Sequence, residues 1–133
     1  MKCEMRNNMI MEQEHKDLKD RTRKFSIRVI KLIKQLDNTI GDREIGRQLI
    51  RSGMSVGANT RAAFRGRSKK EFVAKLGVVI EEADESSFWF DMLNETSDSP
   101  KLNKQELNIL NKEAVELTSI FASIAQKVKK EIK

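Results

Sequence analysis

The sequence is poor in residues that interrupt helices and in residues that build most catalytic sites. It contains one proline, Pro100, and no tyrosine, so long helices can run unbroken and strand signals are scarce. The single cysteine, Cys3, cannot form an internal disulfide, which is typical of a reducing compartment. No apolar run approaches the roughly 18 residues that span a bilayer, and the first residues lack the apolar stretch of a secretory signal. We therefore expect a cytoplasmic protein without membrane contact.

The shortage of histidine argues against catalysis. The only histidine, His15, lies near the amino terminus, so no Ser–His or Cys–His pair can be assembled around a structured site. A di-metal site in a helical bundle needs glutamates followed three residues later by histidine, and no acidic residue of 81–85 has one. The phosphate-binding pattern that ends in Gly-Lys-Ser/Thr is also missing. We expect no enzyme activity, no metal, no cofactor and no small-molecule substrate.

The residues that are abundant are spaced for amphipathic helices. Charged residues make up 35% of the chain and apolar residues 38%, which suits helices that each bury one stripe. Apolar positions recur at steps of three and four over about 18–39, 43–64, 69–95 and 103–131, most regularly in the last segment. Residues 1–17 are polar and are predicted to be a disordered or frayed terminus. Residues 18–133 are predicted to form one all-α domain, an up-down-up-down antiparallel four-helix bundle.

Helix boundaries are indicated by capping residues. Gly41 predicts the end of the first helix, and Asp42 predicts a cap for the second. Residues 68–71, Ser-Lys-Lys-Glu, form a capping box before the third helix, and Asn103 is placed to cap the fourth.

The second predicted helix is unusual because Gly46, Gly53 and Gly57 lie inside it, each at a cost of up to ~1 kcal/mol relative to alanine. Close approach of a neighbouring backbone would explain these glycines, and so would a kink or a ligand contact. Ser52 and Asn59 continue the apolar stripe of the same helix. A polar side chain on a core face needs a partner if it is buried.

The acidic residues of the third predicted helix offer such partners. In one interpretation they form a solvated face. In the other, Glu82 or Glu85 turns inward to meet Ser52, Asn59 or an arginine and fixes the helix register. The structural polar network predicted on this second interpretation comprises Ser52, Asn59, Glu82 and Glu85.

The third predicted helix also carries more apolar residues than one buried stripe requires. Phe88, Trp89 and Met92 are part of the apolar surface beyond the stripe. A helix on the surface of a monomer needs only one apolar stripe. The excess predicts a second buried face, and hence self-association with these residues in the oligomer interface.

Charge is distributed unevenly along the chain. The net charge is +6, but residues 81–95 contain six acidic residues and no basic one. The basic residues cluster in the second helix and in its link to the third. Arginine side chains there could form paired hydrogen bonds with phosphate oxygens. The candidate nucleic-acid-binding residues are Arg43, Arg47, Arg51, Arg61, Arg65, Arg67, Lys69 and Lys70. Phe64 is the one aromatic residue in this cluster of the sequence, so few bases could stack on it. We therefore expect binding to depend on the backbone and shape of the nucleic acid rather than on its sequence. The alternative is a solvated basic face that pairs with acidic neighbours across a subunit contact.

Four short segments between residues 48 and 93 carry a family resemblance. They are Gln-Leu-x-Arg-Ser at 48–52, Ser-Val-x-Ala-Asn at 55–59, Ser-Lys-Lys-Glu-Phe at 68–72 and Glu-Glu-Ala-Asp-Glu at 81–85. With them, the sequence resembles the four-helix-bundle family of proteins encoded in intervening sequences of bacterial 23S rRNA genes. Many members carry Asn-Ile-x-Glu-Gly after the second segment, whereas this chain has Asn-Thr-Arg-Ala-Ala at 59–63. No role of that glutamate can be carried over.

The resemblance implies a bundle that assembles into a homopentamer. The family is similar to the accessory variability protein of diversity-generating retroelements, which binds nucleic acid and a reverse transcriptase through a basic pentamer surface. Two functions are therefore expected. One is a non-enzymatic oligomer that binds nucleic acid, structured RNA in particular, through a basic face. The other is a protein-interaction scaffold, for example an accessory factor that docks a reverse transcriptase or another acidic partner.

Overall fold

The computed structural model describes the backbone of residues 2–132 and the side chains of residues 13–132. Its elements are α1 (Lys2–Ile33), α2 (Ile40–Ala63), α3 (Lys69–Thr96) and α4 (Lys104–Glu131). The described backbone contains no strand. Consecutive helices pack against each other, and α4 also contacts α1. This is the contact pattern expected of an up-down-up-down bundle with short loops, and the prediction of an all-α four-helix bundle is confirmed.

The bounds of α1 differ from those predicted. The helix begins at Lys2 rather than near Leu18, because residues 2–17 contain no glycine or proline and are rich in helix-forming Met, Glu, Gln and Lys. The ring of His15 stacks on Phe64 of α2 with 4.2 Å between ring centroids, so this part of α1 packs on the bundle. The helix ends at Ile33 rather than near residue 39. The other three helices lie within about three residues of their predicted bounds.

Each of the last three helices is capped by a polar side chain. The Ser68 hydroxyl accepts from the amide of Glu71 at 3.1 Å, and the Asn103 side chain accepts from the amide of Glu106 at 3.0 Å, as predicted. The cap of α2 is different from the one expected. Thr39 occupies the N-cap and accepts from the Asp42 amide at 3.3 Å, which places Gly41 inside the helix rather than at the end of α1.

The core lies along the bundle axis. Phe25 of α1 and Phe90 of α3 meet edge to face with 6.3 Å between ring centroids. The predicted seam of α4 is buried from Leu107 through Phe121. Nearer the carboxyl end, Ala125 is buried in place of Ile124, which is half-buried. The fully buried large side chains are Phe25, Phe90, Phe121, Leu32, Leu49, Leu76, Leu93, Leu107, Leu110, Leu117, Val29 and Val56.

The glycines of α2 let α1 approach closely. A Cβ atom at Gly53 would lie 2.9 Å from the Val29 side chain, and one at Gly57 would lie 2.6 Å from the Ser26 hydroxyl oxygen. Ser26 donates a hydrogen bond to the Gly53 carbonyl at 2.7 Å. Of the explanations considered for these glycines, close packing of a neighbouring helix is therefore the one that the structure supports.

One end of the bundle is held by contacts between two loops. The buried carboxylate of Asp42 accepts from the Ser97 hydroxyl at 3.0 Å and from the Asp37 amide at 3.1 Å. The Ser99 hydroxyl donates to the carbonyl of Gln35 at 2.6 Å. The α1–α2 and α3–α4 loops are thus joined at this end, so the α2–α3 loop lies at the other.

Candidate nucleic-acid interface

The outer face of α2 presents a row of arginines. Arg43, Arg47 and Arg61 of α2 and Arg65, two residues beyond its end, are all exposed, and at the helical period their spacing puts them within about 40° of each other. We call these four residues the arginine face. They span about 33 Å along the axis at 1.5 Å per residue. None of the four forms an ion pair with a carboxylate among the side chains of residues 13–132.

Arg51 lies at the edge of this face but is bound by acidic residues of α3. One guanidinium nitrogen lies 3.1 Å from the Glu82 carboxylate, and another contacts Glu85. The hydrogen bond from Arg51 lowers the pKa of Glu85, and burial opposes it. Glu82 and Glu85 therefore pair with an arginine, which is one of the partners considered for them in the sequence. Among the predicted phosphate contacts, Arg51 is the one least available to bind an external phosphate.

The four residues of the predicted polar network are not joined in one network. The hydroxyls of Ser52 and Ser86 lie 2.8 Å apart in the core, and Ser86 is also 2.8 Å from the Glu82 carbonyl oxygen. Asn59 donates to the Ser55 carbonyl of its own helix at 2.9 Å. The carboxylates lie against Arg51 instead. Ser86 was missed by sequence reasoning, although it occupies the step between Ala83 and Phe90 in the buried stripe of α3.

More cations gather where the carboxyl ends of α2 and α4 meet the amino end of α3. We call this region the basic end. Arg67 and Lys70 are exposed there and make no ion pair among the side chains described. Lys69 is 3.0 Å from Glu131 of α4, with both side chains more than half exposed, so this pair is weak. The end of α4 adds the exposed residues Lys127, Lys129 and Lys130.

A groove between α1 and α2 lies beside the arginine face and adds cations of α1 to it. Lys19 and Arg23 of α1 line it together with Arg61 of α2 and Arg65, and its volume is about 540 Å³. No acidic side chain among residues 13–132 lines it. We call it the α1–α2 groove. Sequence reasoning missed Lys19 and Arg23, because their spacing of four residues on α1 says nothing about which helix lies beside them.

The residues predicted to form an oligomer interface divide into two kinds. Phe88 is 53% exposed on the outer face of α3, whereas Trp89 and Met92 are half-buried against the core. The Phe88 and Trp89 rings meet edge to face at 5.0 Å. The helical period places the exposed residues Glu81, Asp84 and Asp91 on the same outer face as Phe88.

Other kinds of site are not found in the part of the chain with described side chains. No group of three or more His, Cys, Asp or Glu residues is arranged to hold a metal ion there. None of the helices in the described residues is both long and apolar enough to cross a membrane.

Comparison with known proteins gives the family. The model of the 23S rRNA-intervening sequence protein family matches residues 14–123. The chain belongs to this family. A solved structure of a protein with unknown function from the S23 ribosomal protein family of Bacteroides thetaiotaomicron is similar, with a TM-score of 0.70 and 29% sequence identity. The similarity covers 81% of this chain and 97% of the other. No curated protein matches the sequence closely enough to count as a relative.

The 23S rRNA-intervening sequence family match extends beyond the four recognised segments. It includes α1 from residue 14 onward, with Lys19 and Arg23, all of α2 and α3, and α4 as far as residue 123. The arginine face and the α1–α2 groove therefore lie wholly within the matched region, whereas Lys127, Lys129 and Lys130 of the basic end lie outside it.

Proposed function

We propose that the protein is a non-enzymatic oligomer that binds structured RNA in the cytoplasm through its exposed basic residues. The observation that carries this proposal is the arginine face, which comprises three exposed guanidinium groups on one side of α2 and a fourth just beyond its end, none paired with a carboxylate of residues 13–132. Guanidinium groups form paired hydrogen bonds with phosphate oxygens, and such contacts release counterions from the nucleic acid. Arg67 and Lys70 continue the surface at the basic end.

The geometry favours contacts with the nucleic-acid backbone. The arginine face is about 33 Å long, which is close to one turn of a DNA duplex. Phe64, the aromatic residue nearest to it, is half-buried between His15 and Phe72, so its ring is already in contact. A surface of arginines without a free aromatic ring recognises shape and charge rather than sequence. A family named for 23S rRNA genes supports RNA as the nucleic acid.

Charge reversal tests this proposal. The variant Arg61→Glu/Arg65→Glu/Arg67→Glu should lose most of its affinity for a structured RNA, because three phosphate contacts become repulsive. The control Lys31→Glu/Lys101→Glu/Lys104→Glu changes the net charge equally, using exposed lysines at the opposite end of the bundle. Circular dichroism should show that both variants remain helical. Unchanged RNA binding by the first variant would contradict the proposal and favour an acidic protein partner, such as a reverse transcriptase, on this face.

The proposed assembly is a homopentamer in which the outer face of α3 is buried between subunits. Phe88 supports this, because a phenylalanine ring that is half exposed among carboxylates gains free energy when a neighbouring subunit covers it. Sedimentation equilibrium at micromolar concentration should give five times the monomer mass. A monomer under those conditions would refute self-association.

A further inference from the structure

We infer that the α1–α2 groove holds an unpaired stretch of the RNA, with bases on the apolar side chains that line it and phosphates on the basic ones. The inference rests on the proposed RNA-binding function and deepens it by naming the form of RNA that is recognised. It uses Lys19 and Arg23, which the sequence did not single out, and apolar lining residues that phosphate contacts alone leave unexplained.

The basic residues of the groove have the charge and spacing for a nucleic-acid backbone, and we call them the rim residues. Lys19 and Arg23 lie one helical turn apart on α1, about 6 Å along the axis, and Arg61 of α2 is followed four residues later by Arg65, just beyond the end of that helix. All four side chains are exposed, and none of them forms an ion pair with a carboxylate in residues 13–132. The groove therefore presents four positive charges in two rows.

The groove is also lined by apolar side chains, which continue the two rows of cations along the helices. They are Ile27 and Ile30 of α1, which are half-buried, and Met54 and Ala58 of α2, which are exposed. Met54 keeps 46% of its surface exposed. Ser26 also lines the groove, and since its hydroxyl donates to the Gly53 carbonyl, its oxygen is left to accept from a base N–H.

This combination distinguishes unpaired from paired RNA. In a duplex the base faces are stacked inside the helix, so a duplex would contact the cations through its phosphates and offer no base face to the apolar side chains. Unstacked bases in loops and bulges can be splayed out, and a base that covers apolar side chains removes them from water. An acidic protein helix would satisfy the cations as well, and the experiment separates it from RNA.

The test compares three RNA probes by fluorescence anisotropy. They are a blunt duplex of about two helical turns, the same duplex with a bulge of a few unpaired nucleotides, and one of its strands alone. The full-length protein should bind the bulged duplex about tenfold more tightly than the blunt duplex, which is the order of magnitude expected when a base covers an exposed apolar side chain such as that of Met54. Met54→Asn should remove most of that preference and leave binding of the blunt duplex unchanged. Val115→Asn, at a 55% exposed apolar residue of α4, should retain the preference.

The rim residues are tested by salt dependence. Lys19→Ala/Arg23→Ala should make the slope of log affinity against log salt shallower by about 1.4 for the single strand, the value for two lost phosphate contacts. Lys31→Ala/Lys34→Ala removes the same charge at the carboxyl end of α1 and just beyond it, outside the groove lining, and should change the slope little. Equal affinity for blunt and bulged duplexes, or a preference that survives Met54→Asn, would overturn the groove assignment alone. Absence of salt-dependent binding to all three probes would overturn the proposed function together with it.

Discussion

The guanidinium of Arg51 lies 3.1 Å from the carboxylate of Glu82, which removes one arginine from the basic surface of α2. Arg47, one turn earlier on the same helix, has no such partner in the described residues. Two arginines that look equivalent in the sequence therefore have different electrostatic surroundings. Arg47 keeps its charge available to an external anion, and Arg51 shares its charge with Glu82 and Glu85.

This difference predicts unequal effects on RNA binding. Arg47→Ala should make the salt dependence of RNA affinity shallower by about one unit of slope, the value for one lost phosphate contact. Arg51→Ala should leave it nearly unchanged, because the Arg51 charge is already balanced by carboxylates. Affinities measured over a series of salt concentrations check both variants. Equal losses in the two would show that the ion pair opens on binding.

The close contact between α1 and α2 predicts opposite effects of alanine at two glycines. Gly57→Ala should destabilise the protein by about 1–3 kcal/mol, because its Cβ would lie 2.6 Å from the Ser26 oxygen and 3.2 Å from the Thr22 carbonyl oxygen. Gly77→Ala should stabilise it by about 0.5–1 kcal/mol, because a Cβ there meets no atom within 4 Å. Denaturant unfolding measures both. A neutral Gly57→Ala would contradict the close packing.

The ion pair between α1 and α4 predicts a pH dependence of stability. Arg28 donates to both carboxylate oxygens of Glu106 at 2.9 and 2.5 Å, and these hydrogen bonds lower the pKa of Glu106 below its ordinary 4.5. The ionised form is therefore favoured in the folded state. This stability is present above pH 4.5 and is lost as the pH falls through the lower pKa of the folded state.

Glu106→Gln should remove that pH dependence. The difference in unfolding free energy between wild type and Glu106→Gln should be larger near pH 7 than in acid below the lowered pKa of folded Glu106, where both side chains are uncharged. Glu95→Gln is the control, because Glu95 is exposed and makes no ion pair within residues 13–132. A constant difference between wild type and Glu106→Gln across this range would show that the pair contributes nothing.

The exposed ring of Phe88 predicts how the proposed oligomer responds to mutation. Phe88→Ser should weaken assembly, because the proposed interface loses its most exposed aromatic ring, while the monomer keeps its core. Val115→Ser removes a similarly exposed apolar side chain from α4 and should leave the oligomer intact. Sedimentation velocity over a concentration series distinguishes the two. The same distribution of species for Phe88→Ser and wild type would place the interface elsewhere.

The sequence was sufficient for the helices but not for the pairing of charges on their surfaces. The period of Leu107, Leu110 and Leu117 predicts a buried seam because helix geometry converts spacing directly into a face. The capping residues Ser68 and Asn103 were found for a similar reason, since their hydrogen bonds are local. The bounds of α1 were wrong because polar composition was taken as disorder although residues 2–17 contain no helix breaker.

Contacts between residues on different helices could not be predicted from the periodicity of the sequence. Arg51 meets Glu82 across 31 positions of sequence, and Lys19 borders a groove with Arg61 across 42. Spacing on one helix gives the direction of a side chain but not the identity of the residue opposite. The arginine face was predictable because it lies on a single helix. The α1–α2 groove and the neutralisation of Arg51 each required the structure.

The salt dependence of RNA affinity for the wild-type protein tests the central claim most directly. Six of the predicted phosphate contacts are exposed and make no ion pair within residues 13–132, namely Arg43, Arg47, Arg61, Arg65, Arg67 and Lys70. If all six neutralise phosphates of a duplex region, log affinity should fall with log salt with a slope of about −5. A slope near zero, or no measurable binding at low salt, would contradict RNA recognition by this surface.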